Sequence, residues 1–169
     1  MFRKILFATD LGPLTSLSLA YVESLAQHFD AQISLVHAVP PLSEFTNAVV
    51  KSYCSDDIKR EVLKAGNVQG IIESVKDEVF EMIASQSEVE ENILNRLKDI
   101  VIVPGKPVPI ILFEADRLEA DIIVIGSYGV DGAQRNVLGS VATKILQLSR
   151  VPVLLVPMIN PNPMDIRNV

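Results

Sequence analysis

The stretch DIIVIGSYGVDGAQRNVLGS, residues 121–140, joins an aliphatic run to glycines at 126, 129, 132 and 139, half of the eight in the chain. DIIVIG reads as a buried strand. Glycine is entropically costly in regular structure, so the cluster marks a backbone that turns tightly or lets something approach closely. After Gly126 and Gly129, nine residues from Val130 to Leu138 lead to Gly139-Ser140, where Val141, Ile145 and Leu148 begin to recur at helical spacing. Glycines that can take positive φ leave amides unscreened by a Cβ, the makings of an anion-binding nest. Gly139-Ser140 would set further free amides and a hydroxyl at a helix mouth, where the dipole favours negative charge.

Outward from this stretch, strands and helices alternate. KILFATD (4–10) is an aliphatic run ending in Asp10, followed by the turn Gly12-Pro13. A helix over Thr15–Phe29 follows, with Leu14, Leu17, Tyr21, Leu25 and Phe29 as its apolar stripe. QISLVHAV (32–39) is a second strand, IVIV (100–103) a third, and VPVLLVP (151–157) a fifth, with DIIVIG the fourth. Residues 42–99 have helical periodicity in SDDIKREVLKA, GIIESVKDEVFEMIASQ and EVEENILNRLKD, so the reading there is two or three helices. The turn Pro104-Gly105-Lys106-Pro107 leads into a helix through Arg117, and Arg150 closes the helix that begins at Ser140, where a cation suits the dipole. Nearly continuous aliphatic strands alternating with helices predict a doubly wound parallel sheet covered on both faces. Ligands of such sheets sit beyond the carboxyl ends of the strands, where the winding reverses, which makes Asp10 and Gly126 the candidates.

The bulk composition narrows the function. A chain of 169 residues with 49% hydrophobic and 21% charged residues is the size and composition of one compact domain, assigned to 1–157 with a Pro/Asn-rich tail at 158–169. A net charge of −6 without a basic stripe argues against a nucleic-acid partner. The one cysteine, Cys54, has no internal disulfide partner and no ligand set around it, which suits a reducing cytoplasm. No apolar run reaches the roughly 18–20 residues of a membrane span, and the amino-terminal stretch lacks a secretory apolar region, so neither export nor a membrane anchor is expected.

Two phosphate-binding motifs fail on spacing. A Walker A loop needs Lys-Ser/Thr directly after its last glycine, and neither GSYGVDG nor PGKP supplies it. A dinucleotide fingerprint should follow the first strand, which instead ends in TDLGP.

GSYG, nine residues and GSV resemble the Gly-x-x-Gly, nine residues, Gly-Ser/Thr pattern of the ATP-binding universal stress proteins. KILFATD, LVHAV, PGKP, DIIVIG and VPVLLVP fit the same family in the same order, leaving only the middle helices and the tail unmatched. The resemblance implies strand order 3-2-1-4-5 and an adenine nucleotide over the crevice between the first and fourth strands. It implies that Ala8 and Ala38 touch adenine through backbone groups and that Thr9 and Asp10 hold the adenosine end. Gly126, Ser127, Gly129, Gly139, Ser140 and Val141 would line the triphosphate, with Arg135 near them and Mg²⁺ accompanying a bound triphosphate. It further implies a homodimer through the fifth strand, with Val151, Val153, Leu154, Leu155 and Val156 at the interface. Leu11-Gly12, Tyr128 and Val130 depart from the family's usual residues, so ADP or AMP stands beside ATP as ligand.

Several residues carry a plainer reading. Asp10 could cap the following helix, but Gly12-Pro13 intervenes, which favours a ligand role. His37 has no carboxylate or thiol partner at recognisable spacing and reads as a hydrogen-bonded strand residue. Ser140 could be a helix cap, a role compatible with phosphate binding, the run at 88–91 is a solvated helix face, and Lys106 is a turn residue. No general base is nominated, so at most slow hydrolysis is expected, and the family resemblance implies a stress-related sensor or switch. The alternatives are a non-binding interaction module, or an adenylate-forming enzyme whose acceptor pocket would have to lie in the middle region.

Overall fold

The structure, a computed structural model, describes residues 2–12, 14–39, 73, 76–77, 79–81, 83, 95–128 and 138–157. Five strands form one sheet: β1 (Lys4–Ala8), β2 (Gln32–Val39), β3 (Leu97–Pro104), β4 (Ile122–Gly126) and β5 (Val153–Val156). Their order is β3-β2-β1-β4-β5 and every pairing is parallel, as the sequence pattern and the family resemblance led us to expect. Three helices are described in full: α1 (Thr15–Phe29), α2 (Pro107–Arg117) and α3 (Ser140–Leu148).

Strand alternation divides the core in two. Ile5, Phe7, Ile33, Leu35, Ile122 and Val124 meet α1 through Leu19, Val22 and Ala26, joined by the helical residues Val79 and Ile83 of the middle region. Leu6, Ala8, Val36, Ile123 and Ile125 meet α2 and α3 on the other face through Ile111, Ala115, Ala142 and Ile145. Burial on both faces is why β1 after Lys4 and β4 are apolar throughout.

Local details depart from the sequence reading. The buried face of α1 is Thr15, Ser18, Leu19, Val22 and Ala26, not the predicted stripe; Tyr21 is 49% exposed, and Leu25 and Phe29 pack only at the margin. On α3, Ala142 and Ile145 face the sheet, while Leu148 is exposed. β3 begins at Leu97, so LKD is strand where helix was expected, with a register shift that leaves Lys98 as the extra residue. β5 is shorter than VPVLLVP, because Val151 is tied into a turn in which its carbonyl accepts from the Ser149 hydroxyl at 2.7 Å. Residues 42–72, with Cys54, the run at 88–91, and the tail 158–169 lie outside the described residues.

Candidate functional site

β1 and β4 are neighbours, with Ala8 opposite Ile125. Thr9, just beyond β1, and Gly126, the last residue of β4, therefore lie on adjacent strands spaced about 4.8 Å apart. The winding also reverses here, since β1 is followed by β2 on one flank and β4 by β5 on the other. Ala38 lies on the same rim, two residues beyond the β2 partner of Ala8. Ala8 is buried in the core beneath α2 and α3, and Ala38 and Gly126 are half-buried at the rim.

The turn after β1 is held by its own polar groups. The Thr9 hydroxyl accepts from the Leu11 amide at 3.0 Å and pairs with the buried Thr15 hydroxyl at 3.0 Å. The Asp10 carboxylate accepts from the Gly12 amide at 3.0 Å. Leu11 takes a left-handed conformation, φ 56°, uncommon for a residue with a Cβ. Asp10 is exposed, and Leu14, the N-cap residue of α1, has no side-chain capping bond; the bond from the Gly12 amide to the Asp10 carboxylate closes its own turn. His37 on β2 donates from Nδ1 to the Thr9 carbonyl at 2.9 Å, the hydrogen-bonded role read for it in the sequence. A carbonyl only accepts, so the proton on that nitrogen is fixed.

The other wall is the mouth of α3. Ser127 is buried, its amide donating to Val156 O and its carbonyl accepting from the Gly139 amide, both at 2.8 Å. That second bond closes the base of the glycine-rich connection and sets the start of α3 directly on the end of β4. Gly139, not Ser140, is the N-cap residue, and its amide is spent on Ser127, so it differs from the free amide expected there. Thr143 returns its amide to Gly139 O at 2.9 Å, which leaves Ser140, Val141 and Ala142 as the first-turn donors, and no side chain among the described residues caps them. Ser140 is exposed and Val141 half-buried. Gly129, Gly132, Val130 and Arg135 lie outside the described residues.

The crevice therefore has opposite ends. An acceptor-only carboxylate, Asp10, stands at the end of β1, and a donor-only helix mouth at the end of β4. A nucleotide, with hydroxyl and amino donors at one end and anionic phosphate at the other, fits that polarity. Sequence reasoning placed Ala8, Thr9, Asp10, Ala38, Gly126, Ser127, Gly139, Ser140 and Val141 here; it missed Leu11 and Thr15, which the strand-end hydroxyl at Thr9 could have signalled.

The strand order and the glycine-rich β4–α3 junction define the class of domain, a doubly wound five-stranded parallel α/β fold. The model of the universal stress protein family matches residues 1–157, and the chain belongs to that family. The universal stress protein YxiE of Bacillus subtilis is 32% identical over 161 residues, covering 92% of this chain and 99% of that protein. The solved structure of the universal stress protein UspA from Lactobacillus plantarum is similar with a TM-score of 0.66 at 20% identity, covering 92% of this chain and 97% of that one. A universal stress protein solved in complex with cAMP is similar with a TM-score of 0.51 at 18% identity, covering 92% of this chain and 97% of the other.

Proposed function

We propose that this chain binds an adenine nucleotide in the β1–β4 crevice and acts as a stress-related sensor or switch, with at most slow hydrolysis. ATP is the proposed ligand, with ADP or AMP as the smaller alternatives. The observation that carries the reading is the polarity of the crevice: Asp10 beyond β1 on one side and, on the other, the first turn of α3, which no side chain among the described residues caps and which Ser127 sets on the end of β4. A universal stress protein of the same fold has been solved in complex with cAMP, which supports an adenine nucleotide as the class of ligand. In this reading Thr9 and Asp10 face the adenosine end, the Ser140 and Val141 amides meet phosphate, and Gly129 and Arg135 complete the phosphate wall. Mg²⁺ would come with the triphosphate, since it keeps several waters and needs few protein ligands. The proposal extends to a cytoplasmic homodimer paired through β5; no helix among the described residues is long and apolar enough to cross a membrane.

The test is to purify the protein without added nucleotide, denature it, and identify the released small molecule by mass, then to follow melting in MgATP. Adenine nucleotide in the released fraction is the expected result. At a hundred times Kd, binding stabilises by roughly 2.7 kcal/mol. That raises Tm by about 5–10 °C for a domain of this size. A blank in both measurements would refute the reading in favour of an interaction module that binds no nucleotide.

A further inference from the structure

The chain leaves β1 through a strained turn, and that turn carries Asp10. Leu11 sits at φ 56°, where a side chain is disfavoured, so the surrounding contacts must hold it there. Most of the holding groups come from the turn and the start of α1: the Thr9 hydroxyl on the Leu11 amide, the Asp10 carboxylate on the Gly12 amide, and the Thr15 hydroxyl on Thr9. One side chain comes from a different strand. His37 of β2 reaches across to the Thr9 carbonyl at 2.9 Å, while the Thr9 amide donates to Val36 O at 3.1 Å.

The Thr9 carbonyl belongs to the same rigid peptide plane as the Asp10 amide. A donor fixed on that carbonyl therefore fixes the rotation of the plane that leads into Asp10, and with it the direction in which the carboxylate leaves the backbone. The bond is made at the last peptide before the turn, where the β1–β2 ladder ends.

We propose that His37 is a positioning residue: by holding the Thr9–Asp10 peptide it aims the Asp10 carboxylate at the nucleoside part of the ligand. This rests on the nucleotide reading given above. His37 acts through Asp10 and needs no contact with the ligand.

The test is calorimetric titration of the full chain with MgATP. The variants are His37→Leu, which removes the donor; His37→Asn, whose amide nitrogen stands near the position of Nδ1; and His37→Gln, whose nitrogen stands near Nε2. Loss of one orienting hydrogen bond should weaken binding about tenfold in His37→Leu and His37→Gln, with His37→Asn within about twofold of the parent chain. In an Asp10→Ala background, His37→Leu should cost nothing further, since a residue acting through Asp10 has nothing left to aim. Equal losses in both backgrounds, or an unaffected His37→Gln, would overturn the positioning role while nucleotide binding stands. If His37→Leu does not fold, the Asn and Gln pair decides, and equal affinity in those two overturns the proposal. Failure of the parent chain itself to bind MgATP would overturn both readings.

Discussion

Asp121, which sequence reading passed over as the first residue of a strand motif, ties the start of β4 to the start of β1. Its carboxylate accepts from the Arg3 amide at 2.7 Å and the Lys4 amide at 2.9 Å, and its own amide donates to Lys4 O at 2.8 Å. The Arg3 amide is the main cause that holds this carboxyl below the usual carboxylate range, with the Lys4 amide adding to it against the opposing effect of burial. A pKa lowered by folding means stability that is present above the unfolded value, near 3.9, and is lost as pH falls through the folded value. Asp121→Ala should therefore cost roughly 1 kcal/mol at pH 7, the lower range for charge-assisted bonds because the group is partly solvated. Urea denaturation should find the difference between variant and parent closing toward pH 2. A gap that stays constant across that range would mean the side chain acts by packing alone. Asp30 and Glu119 shift in the same direction, through side-chain hydrogen bonds from Arg96 and Lys4 respectively, so acid weakens several links at this end of the sheet together. Thr9, Asp10 and His37 show how far single residues were legible: their chemistry was, but the bond from His37 to Thr9 joins residues 28 apart in sequence and depends on strand register.

Helix α1 shows what periodicity leaves open. Its bounds, Thr15–Phe29, coincide with the sequence reading, but two neighbouring stripes recur at three- and four-residue spacing. The sheet selects the one with smaller side chains, Thr15, Ser18, Val22 and Ala26 around Leu19, because close approach of helix to strands buries more of the strand surface. Ala26→Leu, at a site with no exposure, should destabilise by about 1–3 kcal/mol through overpacking. Tyr21→Ser, on the predicted but half-exposed stripe, should stay within about 0.5 kcal/mol. Thermal or urea melts of the two variants decide between the stripes; the reverse order of effects would restore the predicted one. β3 makes the same point from the other side. Leu97–Asp99 alternates in a way that suits either state, and pairing with β2 makes it strand, while Arg96 just before it is taken by Asp30 at the end of α1 at 2.8 Å.

At the scale of the whole molecule the open question is the edge of the sheet. β5 ends the strand order, and its Pro152 and Val156 carbonyls point toward β4, accepting from Ile123 and Ser127. Backbone groups alternate along a strand, so those of Val153 and Leu155 point to the open side. Among the described residues no strand pairs with that side of β5, which supports the proposed dimer, in which a second copy covers it. Leu155→Pro removes an outward donor without touching the β4 ladder, a substitution an edge strand tolerates. Sedimentation should then show a monomer where the parent chain is a dimer, with circular dichroism unchanged. A parent chain that sediments as a monomer, or a variant that remains dimeric, would refute pairing through β5. Val151 takes no part in this prediction, because its backbone is committed to the turn with Ser149.

The order of strands and helices, the parallel character of the sheet and the position of the candidate crevice at the ends of β1 and β4 could all be read from the chain itself. Each follows from local causes: aliphatic runs with no polar alternation, helical spacing, and glycines set directly after a strand. Which face of α1 is buried, where β3 begins, that the Gly139 amide is already used, and that His37 grips the turn carrying Asp10 were decided only by tertiary structure. Each of these depends on a partner supplied by a distant part of the chain, and local periodicity carries no information about which partner arrives or in what register.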